Sequence, residues 1–501
     1  MPHARREVFM QSGNHPRRWL ILIVLCLATL VLVIDNMVLT VAIPPLTADL
    51  GATAQDIQWI LDSYILVFAG LLLTAGSLSD RYGRRKVMVI GLALFGLASL
   101  AATFVTNPGQ LIAARTAMGV GGALIMPSTL SILITVFDEN ERRKAMSAWG
   151  AVAMLGLVGG PIAGGALIAE YSWETAFWIN VPVAAVAIIA SFALMPESKG
   201  PERKADPLGA ILSVAGMTAL VWTIIELPHG LNWASLAVAV AALAGFVAWE
   251  LRTPHPMVPL KLFRDRTFSG GSLSLTLVQI GNGGLLLVMT QYLQFVLGYT
   301  PTEAGLAFIP LAIASLVFNG IGAGLGAKIG NRPMISAGLL ACAGGFGLMA
   351  TLNASDGFWI TAVALALMGA GAGLAMPAAV SALMGAIPPE QAGVGSALND
   401  TIQQAGAALG VAVLGSILAD SYSAGMDSAP ETARRSIADA LALGDSALAQ
   451  AAREAFTDAM STTFLISAAG VVAAAIVSLV VLPGRKAAAA GKTEELVSTG
   501  H

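Results

Sequence analysis

The sequence predicts an all-α integral membrane protein made of two related six-helix bundles and two additional helices. Three observations support this fold class. Hydrophobic residues make up 56% of the chain and charged residues only 11%, with a mean hydropathy of +0.76, whereas soluble domains carry about 25% charged residues. Fourteen apolar segments are long enough to cross a bilayer, which takes about 20 residues. Similar segments also recur in the two halves of the chain.

The apolar segments account for most of the chain. Many contain glycine or proline, which membrane helices tolerate where neighbouring helices cover the backbone. The first segment follows several basic residues and lacks a small-residue cleavage site, so it is predicted to be a retained helix rather than a signal peptide. The segments are 19–42, 56–76, 87–106, 109–136, 145–168, 175–194, 208–227, 233–250, 269–296, 302–326, 333–351, 358–384, 392–418 and 459–482.

The distribution of Lys and Arg predicts the orientation of these segments. With the N-terminus inside, 23 of the 27 basic residues fall in inside segments, and the short outside loops have none. Basic residues favour the cytoplasmic side, so both termini are predicted to lie in the cytoplasm, with the protein in the cell membrane. The long outer segment 420–457 is expected to form a solvated loop helix, and a lid or partner surface is the alternative.

An internal repeat relates the two halves of the chain. Met118–Leu133 matches Met368–Leu383 at eight of sixteen positions. Two homologous halves are the usual plan of a transporter that rocks around a central site. The repeat predicts an N-terminal bundle at 1–195, a linker with two additional helices at 196–267, a C-terminal bundle at 268–482 and a cytoplasmic tail at 483–501.

The most informative stretch, Gly76–Lys86, lies between the second and third segments. It combines one acid, four bases and two glycines, so it must lie at a membrane face. Asp80 is predicted to dock on the N-terminus of the thirteenth segment, near Gln391–Gly393, because a helix N-terminus favours a carboxylate by about 0.3–1 kcal/mol. The alternative is a local pair with Arg84 or Arg85. The residues predicted to take part in conformational gating are Gly76, Asp80, Arg81, Gly83, Arg84 and Arg85.

Four ionisable residues inside apolar segments are candidate site residues, since each costs about 2.5–3.5 kcal/mol there. Asp35, Asp62 and Arg115 are predicted to lie at one depth, roughly 10 Å below the outer surface at about 1.5 Å per residue. There they could neutralise each other or a cationic ligand, and a static ion-pair cluster is the alternative. Asp400 is predicted near the middle of the membrane, with a solvated helix end as its alternative.

Aromatic and methionine side chains near these acids are candidates for lining a substrate cavity. Aromatic faces attract cations by about 0.5–2 kcal/mol, and methionine adapts to varied shapes. Amphipathic cations are therefore the expected substrates. The candidate side chains are Trp59, Tyr64, Met126, Trp149 and Tyr292.

Several of these motifs resemble those of a known family. Gly76–Lys86 resembles the loop between helices 2 and 3 of major facilitator superfamily transporters. In the fifth segment, Gly156–Gly165 is similar to the antiporter signature of drug-exporting members, with Gly156, Gly160, Pro161, Gly164 and Gly165 as its elements. Val33–Pro44, Trp59–Tyr64 and Phe177–Pro182 resemble the fourteen-helix drug/proton antiporters, which expel quaternary ammonium compounds, dyes and antibiotics. The similarity extends from about Trp19 to Pro483.

The resemblance implies a major facilitator fold and export by proton exchange through alternating access. It makes Asp35 and Asp62 candidate acids for cation recognition or coupling, and Arg115 a candidate for proton transfer. Asp400 lies where relatives that export quaternary ammonium compounds can carry an acid. Met118 replaces a glutamine of the family pattern. The tenth segment has no acid other than Glu303 at its outer edge, so divalent cations are not expected as substrates.

Other classes of function are less compatible with the sequence. It contains no nucleotide-binding loop, His/Cys metal spacing or nucleophile elbow, so we expect no enzymatic activity, cofactor, metal or nucleic-acid partner. Cys26 and Cys342 are predicted to be packing residues. The expected partners are a small amphipathic molecule, protons and the lipid bilayer, and the protein is expected to function as a monomer. A dedicated exporter of one metabolite or antibiotic and a facilitator importer are the alternatives.

Overall fold

The computed structural model describes residues 15–200, 206–226, 230–254, 256–353 and 357–482. These residues form eighteen α-helices and no β-strand. The predicted cytoplasmic tail 483–501 lies outside the described residues. The helices are α1 (Arg18–Leu50), α2 (Ala54–Tyr82), α3 (Arg84–Ala102), α4 (Pro108–Val136), α5 (Glu139–Glu170), α6 (Thr175–Trp178), α7 (Asn180–Leu194), α8 (Pro207–Ile225), α9 (Trp233–Glu250), α10 (Arg266–Gln291), α11 (Pro301–Ala307), α12 (Ile309–Ile329), α13 (Asn331–Met349), α14 (Phe358–Gly385), α15 (Ala392–Gly425), α16 (Glu431–Arg435), α17 (Ile437–Ala442) and α18 (Ser446–Val481).

The predicted fold class is confirmed, because every predicted apolar segment corresponds to helix. Within the described ranges, 13 helical stretches are long and apolar enough to cross a membrane, and α5, a further 32-residue helix, covers the remaining predicted segment. Helices predominate because hydrocarbon offers the backbone no hydrogen-bond partners, so each segment must satisfy its own. Local capping sets several starts; for example, Thr53 and Asp56 form a capping box at the start of α2.

The two halves repeat one pattern of helix pairing. In the first half α1 packs on α5, and α4 packs on both α2 and α3. In the second half α10 packs on α15, and α14 packs on both α12 and α13. Glycines allow the corresponding pairs to approach closely, since a Cβ on Gly91 would lie 2.8 Å from the Gly121 carbonyl oxygen and one on Gly338 would lie 2.5 Å from that of Gly371.

Helices α15 and α12 form the main contacts between the halves, and a separate hairpin lies beside them. α15 packs against α2 and α4, and α12 packs against α5. The additional helices α8 and α9 pack on each other, and α8 also packs on α2. This arrangement places the end of α2, which carries Asp80, next to the start of α15.

The segment 420–457 is more ordered than predicted. α15 continues to Gly425 and α18 begins at Ser446, so only the short helices α16 and α17 lie between them. Ala433, Ile437 and Ala440 are buried, and the Tyr422 hydroxyl donates a hydrogen bond to the Ala433 carbonyl oxygen at 3.0 Å. The segment is therefore helical and mostly exposed, as expected, and the apolar side chains on its inner face are covered by the two long helices.

Candidate functional site

A buried ion pair joins α1 and α4 in the first half. Asp35 is 2% exposed and Arg115 is fully buried, and Arg115 Nη1 lies 2.5 Å from Asp35 Oδ2. Two charges removed from water are stable together only when their geometry is good and their remaining hydrogen-bonding groups are satisfied. The neighbours of the pair meet this requirement.

Four neutral groups complete the surroundings of the pair. Asn180 on α7 donates its amide N–H to Asp35 Oδ1 at 2.8 Å. Arg115 donates to the Asn36 side-chain oxygen and to the Ile60 carbonyl oxygen, each at 3.3 Å, and its guanidinium lies 4.4 Å from the centre of the Tyr64 ring. Asn180 and Asn36 are functional candidates that a search for ionisable residues misses. An amide within a long apolar segment is the signal that could have identified them.

Asp62 does not belong to this pair. It is half-buried on the face of α2 that meets α8, where Trp59 stacks on Trp222 with ring centres 4.9 Å apart. The charged group near it is Glu226, at the end of α8. The expectation that Asp62 joins Asp35 and Arg115 is therefore wrong. Ile60 and Tyr64 turn toward Arg115, whereas Asp62 lies two residues further along α2 than Ile60 and so faces roughly the opposite way.

The aromatic candidates divide into two groups. Tyr64 and the partly exposed Trp59 lie at the contacts just described. The Trp149 indole is buried and donates to the Thr29 hydroxyl at 2.8 Å, while Tyr292 is fully buried and donates to the Asn353 carbonyl oxygen at 3.1 Å. The expectation that Trp149 and Tyr292 line a cavity is wrong for this conformation, because both side chains are buried and each polar tip is engaged in a hydrogen bond. Met126 is half-buried on α4.

Asp400 is a buried carboxyl group in the second half. It lies more than two turns inside α15, is 3% exposed, and accepts one hydrogen bond, from the Asn399 amide at 2.9 Å. Its Oδ2 has no hydrogen-bond partner in the described structure. The alternative of a solvated helix end is therefore wrong. Buried polar atoms are almost always satisfied, so this oxygen has capacity for a proton or a ligand.

Several other polar atoms close to Asp400 in α15 are also buried without a hydrogen-bond partner among the described residues. The side-chain oxygens of Ser396, Asn399 and Thr401 are also buried without a hydrogen-bond partner in the part of the chain that the structure describes. All three belong to the same stretch of α15. A group of unsatisfied oxygens around a carboxyl group can bind protons, water or a cation.

Asp80 connects the end of α2 to the start of α15. Its Oδ1 accepts the backbone N–H of Gly393 at 2.9 Å, and its Oδ2 accepts that of Val394 at 3.0 Å. Arg84 donates to the same Oδ1 through Nε and Nη2 at 3.0 and 2.8 Å. The predicted helix contact and its local alternative therefore occur together, because one carboxylate has several acceptor positions.

Glycines and the start of the linker complete this junction. Gly83 has φ of +115°, a conformation that favours glycine, and a Cβ on Gly393 would lie 2.5 Å from Asp80 Oδ1. Gly76, one turn before Asp80 on α2, also packs closely on Gly393. Glu197, which sequence reasoning missed, accepts the backbone N–H groups of Arg85 and Lys86 at 3.1 and 3.2 Å. Arg81 is exposed, over the Tyr82 ring.

The glycines of α5 allow it to approach α1 closely. A Cβ on Gly156, Gly160 or Gly164 would lie 2.7, 2.5 or 2.6 Å from a side-chain carbon of Val33, Met37 or Val38, in that order. For Pro161 and Gly165 the structure describes only the helical backbone. The motif therefore sets how α1, which carries Asp35, sits against α5.

The chain is similar to a large family of transporters. The family model described as Major Facilitator Superfamily matches residues 25–411 and 271–498. Among similar curated proteins, the methyl viologen resistance protein SmvA of Salmonella typhimurium is 34% identical over 91% of this chain and 96% of its own length. The multidrug efflux pump LfrA of Mycolicibacterium smegmatis is 32% identical over 92% of this chain and 95% of its own length. The puromycin resistance protein pur8 of Streptomyces alboniger is 35% identical over 81% and 83%.

Solved structures resemble the fold at much lower identity. The human organic anion transporter MFSD10 matches with a TM-score of 0.63 and 16% identity over 91% of this chain and 100% of that chain. The proton:xylose symporter XylE matches with a TM-score of 0.62 and 16% identity over 94% and 97%. Likeness at this level of identity concerns the fold alone.

Proposed function

Because the chain belongs to the Major Facilitator Superfamily, we propose that it is a proton-coupled antiporter that exports amphipathic cations, such as drugs, dyes and antibiotics, from the cell. Drug export is supported by relatives that are named as resistance proteins and a multidrug efflux pump. On this proposal the protein is a transporter rather than an enzyme. It lies in the cell membrane with both termini in the cytoplasm, and it alternates between outward- and inward-open forms.

The main support for proton exchange is the burial and incomplete hydrogen bonding of Asp400. This carboxyl group is buried in a membrane-spanning helix, has one neutral hydrogen-bond partner, and leaves one oxygen without any among the described residues. A charge in this position is costly unless it is paired. A proton from one side and a cationic substrate from the other can each neutralise it. Competition between the two for one carboxylate would couple their movements in opposite directions.

The pair of Asp35 and Arg115 supplies the second part of the proposal. The carboxylate is held by Arg115 and Asn180, so protonating Asp35 would release the guanidinium and change the contact between α1 and α4. Asp62, beside Trp59 and Trp222, is proposed as a separate acid for recognising cations. Moving one charge through 100 mV provides about 2.3 kcal/mol, so one or two protons per cycle could sustain a useful gradient.

Asp400→Asn tests the proposed exchange site in cells. Asparagine has nearly the same shape but carries no charge and binds no proton, so efflux of a cationic dye should fall about tenfold or more, as expected for losing an interaction worth about 1.5–3 kcal/mol. Fluorescence of cells preloaded with the dye measures efflux, with and without an uncoupler. Wild-type efflux should stop when the uncoupler is added.

Asp458→Asn is the matched control for this test. It also removes a carboxylate, but from an exposed position on α18, so efflux should remain at the wild-type rate. Normal cation efflux by Asp400→Asn, at equal protein level in the membrane, would exclude Asp400 as the exchange site.

A dedicated exporter of a single antibiotic is the second candidate function. It is favoured by the 35% identity to a relative that is named for resistance to puromycin alone. A panel of chemically unrelated dyes and antibiotics separates the two candidates. Protection against several unrelated cations supports the multidrug function, and protection against one compound supports the dedicated exporter.

A further inference from the structure

A second site with buried carboxyl groups lies in the hairpin of α8 and α9, away from the groups described above. Glu250, the last residue of α9, is only 4% exposed. Its Oε2 accepts the backbone N–H of Val258 at 3.0 Å. Its Oε1 is buried and has no hydrogen-bond partner within the described ranges. One oxygen of an almost fully buried side chain therefore lacks a partner.

Asp206 approaches Glu250 from the start of α8. Its Oδ1 accepts the backbone N–H of Gly209 and the indole N–H of Trp249, both at 2.8 Å, while its Oδ2 is buried without a partner. A Cβ built on Gly209 would lie 2.5 Å from Asp206 Oδ2 and 2.8 Å from Glu250 Oε1. The two partnerless oxygens therefore face the same small space beside Gly209.

No described basic side chain forms a hydrogen bond or an ion pair with either carboxyl group. α8 and α9 contain no Lys, Arg or His. Asp206 is half-buried, but the oxygens of the two carboxylates that face each other are buried. Two carboxylates so placed repel each other and do not both remain ionised. On the helices that pack against α8, the other charged groups are Asp56, Asp62, Asp80 and Arg81 of α2 and Asp400 and Asp420 of α15, and Glu226 follows α8 itself. In the described chain before α8 and after α9 they are Glu197, Lys199, Arg252, Lys261, Arg264, Asp265 and Arg266. No described hydrogen bond or ion pair joins any of these groups to Asp206 or Glu250, and Glu202, Arg203, Lys204 and His255 lie outside the described residues.

We propose that Asp206 and Glu250 form a binding site for one shared proton. A proton between Asp206 Oδ2 and Glu250 Oε1 makes one oxygen a donor and the other an acceptor. Both partnerless atoms are then satisfied, and the pair carries one negative charge instead of two. Carboxyl groups held this close commonly share a proton in this way.

The shared proton stabilises the contact between the α8–α9 hairpin and the chain that follows it, at Met257 and Val258. Glu250 holds the N–H of Val258, and both Met257 and Val258 are buried in the main core. Loss of the proton would leave two facing anions and push the end of α9 away from the start of α8. The hydrogen bond from Val258 to Glu250, which joins the hairpin to the chain that leads into α10, would then be weakened.

A shared proton makes the free energy of unfolding of the protein depend on pH. At neutral pH both carboxyl groups of an unfolded chain are ionised, whereas the folded protein retains one proton on the pair. The folded state therefore binds more protons than the unfolded state, and stability must fall as the pH rises through the range in which the pair loses its proton.

Thermal unfolding of the purified full-length protein in lipid nanodiscs, between about pH 6 and about pH 10, tests the proposal. The melting temperature of the wild type should fall by about 2 °C or more on the alkaline side. Glu250→Gln replaces the shared proton with a permanent amide donor to Asp206, and its amide oxygen can still accept the N–H of Val258. This variant should lack the alkaline fall.

Asp265→Asn is the matched control in the same linker. Asp265 caps α10 by accepting the N–H groups of Thr267 and Phe268 at 2.6 and 2.9 Å, and no carboxyl group among the described residues forms a contact with it. Its variant should be less stable at every pH and should keep the alkaline fall of the wild type.

Infrared spectroscopy provides a second readout that does not depend on stability. The protonated pair should contribute a carboxylic-acid carbonyl band that shifts in heavy water and is lost in both Glu250→Gln and Asp206→Asn. An equal alkaline fall in the wild type and Glu250→Gln, or a band unchanged in both variants, would overturn the proposal. Stabilisation that depends on sodium concentration and not on pH would also overturn it, because the ligand would then be a metal cation.

Discussion

Replacing Asp80 with asparagine should abolish transport and open the cytoplasmic side of the protein. The carboxylate accepts hydrogen bonds from two backbone N–H groups of α15 and from buried Arg84. Asparagine removes the charge that stabilises both contacts and deprives the buried Arg84 of its carboxylate, and breaking a buried ion pair costs about 3–5 kcal/mol. Because about 1.4 kcal/mol changes a population ratio tenfold, the inward-open form should increase at least tenfold.

Cysteine labelling measures this change in population. Ser396 is fully buried on α15, in the turn that follows Val394, and Ser396→Cys can be introduced after Cys26 and Cys342 are replaced by serine. A membrane-impermeant thiol reagent on the cytoplasmic side should label this cysteine slowly in the Asp80 protein and at least tenfold faster in Asp80→Asn. Lys86→Gln removes a charge from an exposed position in the same loop and should not change labelling.

A double variant distinguishes the contact between the halves from the local pair. Asp80→Asn combined with Arg84→Gln removes the guanidinium together with the carboxylate. Any loss of stability that comes from the uncompensated charge of Arg84 is therefore absent from the double variant. If Asp80 holds α2 to α15, the double variant should still be inactive and label rapidly. Recovery of slow labelling and normal efflux would show that Asp80 serves only to neutralise Arg84.

Asp35→Asn should reduce efflux of lipophilic cations to the level of cells without the protein. The substitution leaves Arg115 fully buried with only neutral partners, namely Asn36, the Ile60 carbonyl group and the Tyr64 ring. It also removes the only group of the pair that can bind and release a proton, because an arginine side chain stays protonated in proteins. Dye efflux and immunoblotting of the membrane fraction measure activity and protein level together.

Two further variants make this test specific. Asp49→Asn removes an exposed carboxylate from the same helix, one that accepts the Trp173 indole N–H at 2.9 Å, and should leave efflux near normal. Asp35→Asn with Arg115→Gln removes both charges. A coupling role predicts stable but inactive protein, whereas restored transport in the double variant would show that the pair is only a static link between α1 and α4.

Much of the fold follows from the sequence because the membrane restricts the possible structures. A spanning segment must satisfy its own backbone hydrogen bonds, so composition and length identified the helices. The contact of Asp80 with α15 was also predictable, since it depends on charge along the chain: the stretch 387–400 contains no Lys or Arg, and Gly393 leaves room for a carboxylate.

The grouping of the buried residues could not be predicted in the same way. Position along a helix gives the depth of a residue, but its facing direction depends on rotation about the helix axis and on which helix lies opposite. Asp35 and Asp62 were therefore assigned similar depths, yet α4 faces the first and α8 faces the second. The roles of Asn180 and Glu197 appear only when distant segments meet, because their partners Asp35 and Arg85 lie 145 and 112 residues away along the chain.

Counterflow in liposomes tests the central claim, proton-driven cation export, most directly. Purified protein is sealed into liposomes with a pH-sensitive dye inside, and a fluorescent lipophilic cation reports substrate movement. We predict that an imposed pH gradient drives the cation uphill, that a cation gradient drives protons the opposite way, and that Asp400→Asn shows neither movement. Uphill cation movement that persists after both the pH gradient and the membrane potential are collapsed would contradict the claim.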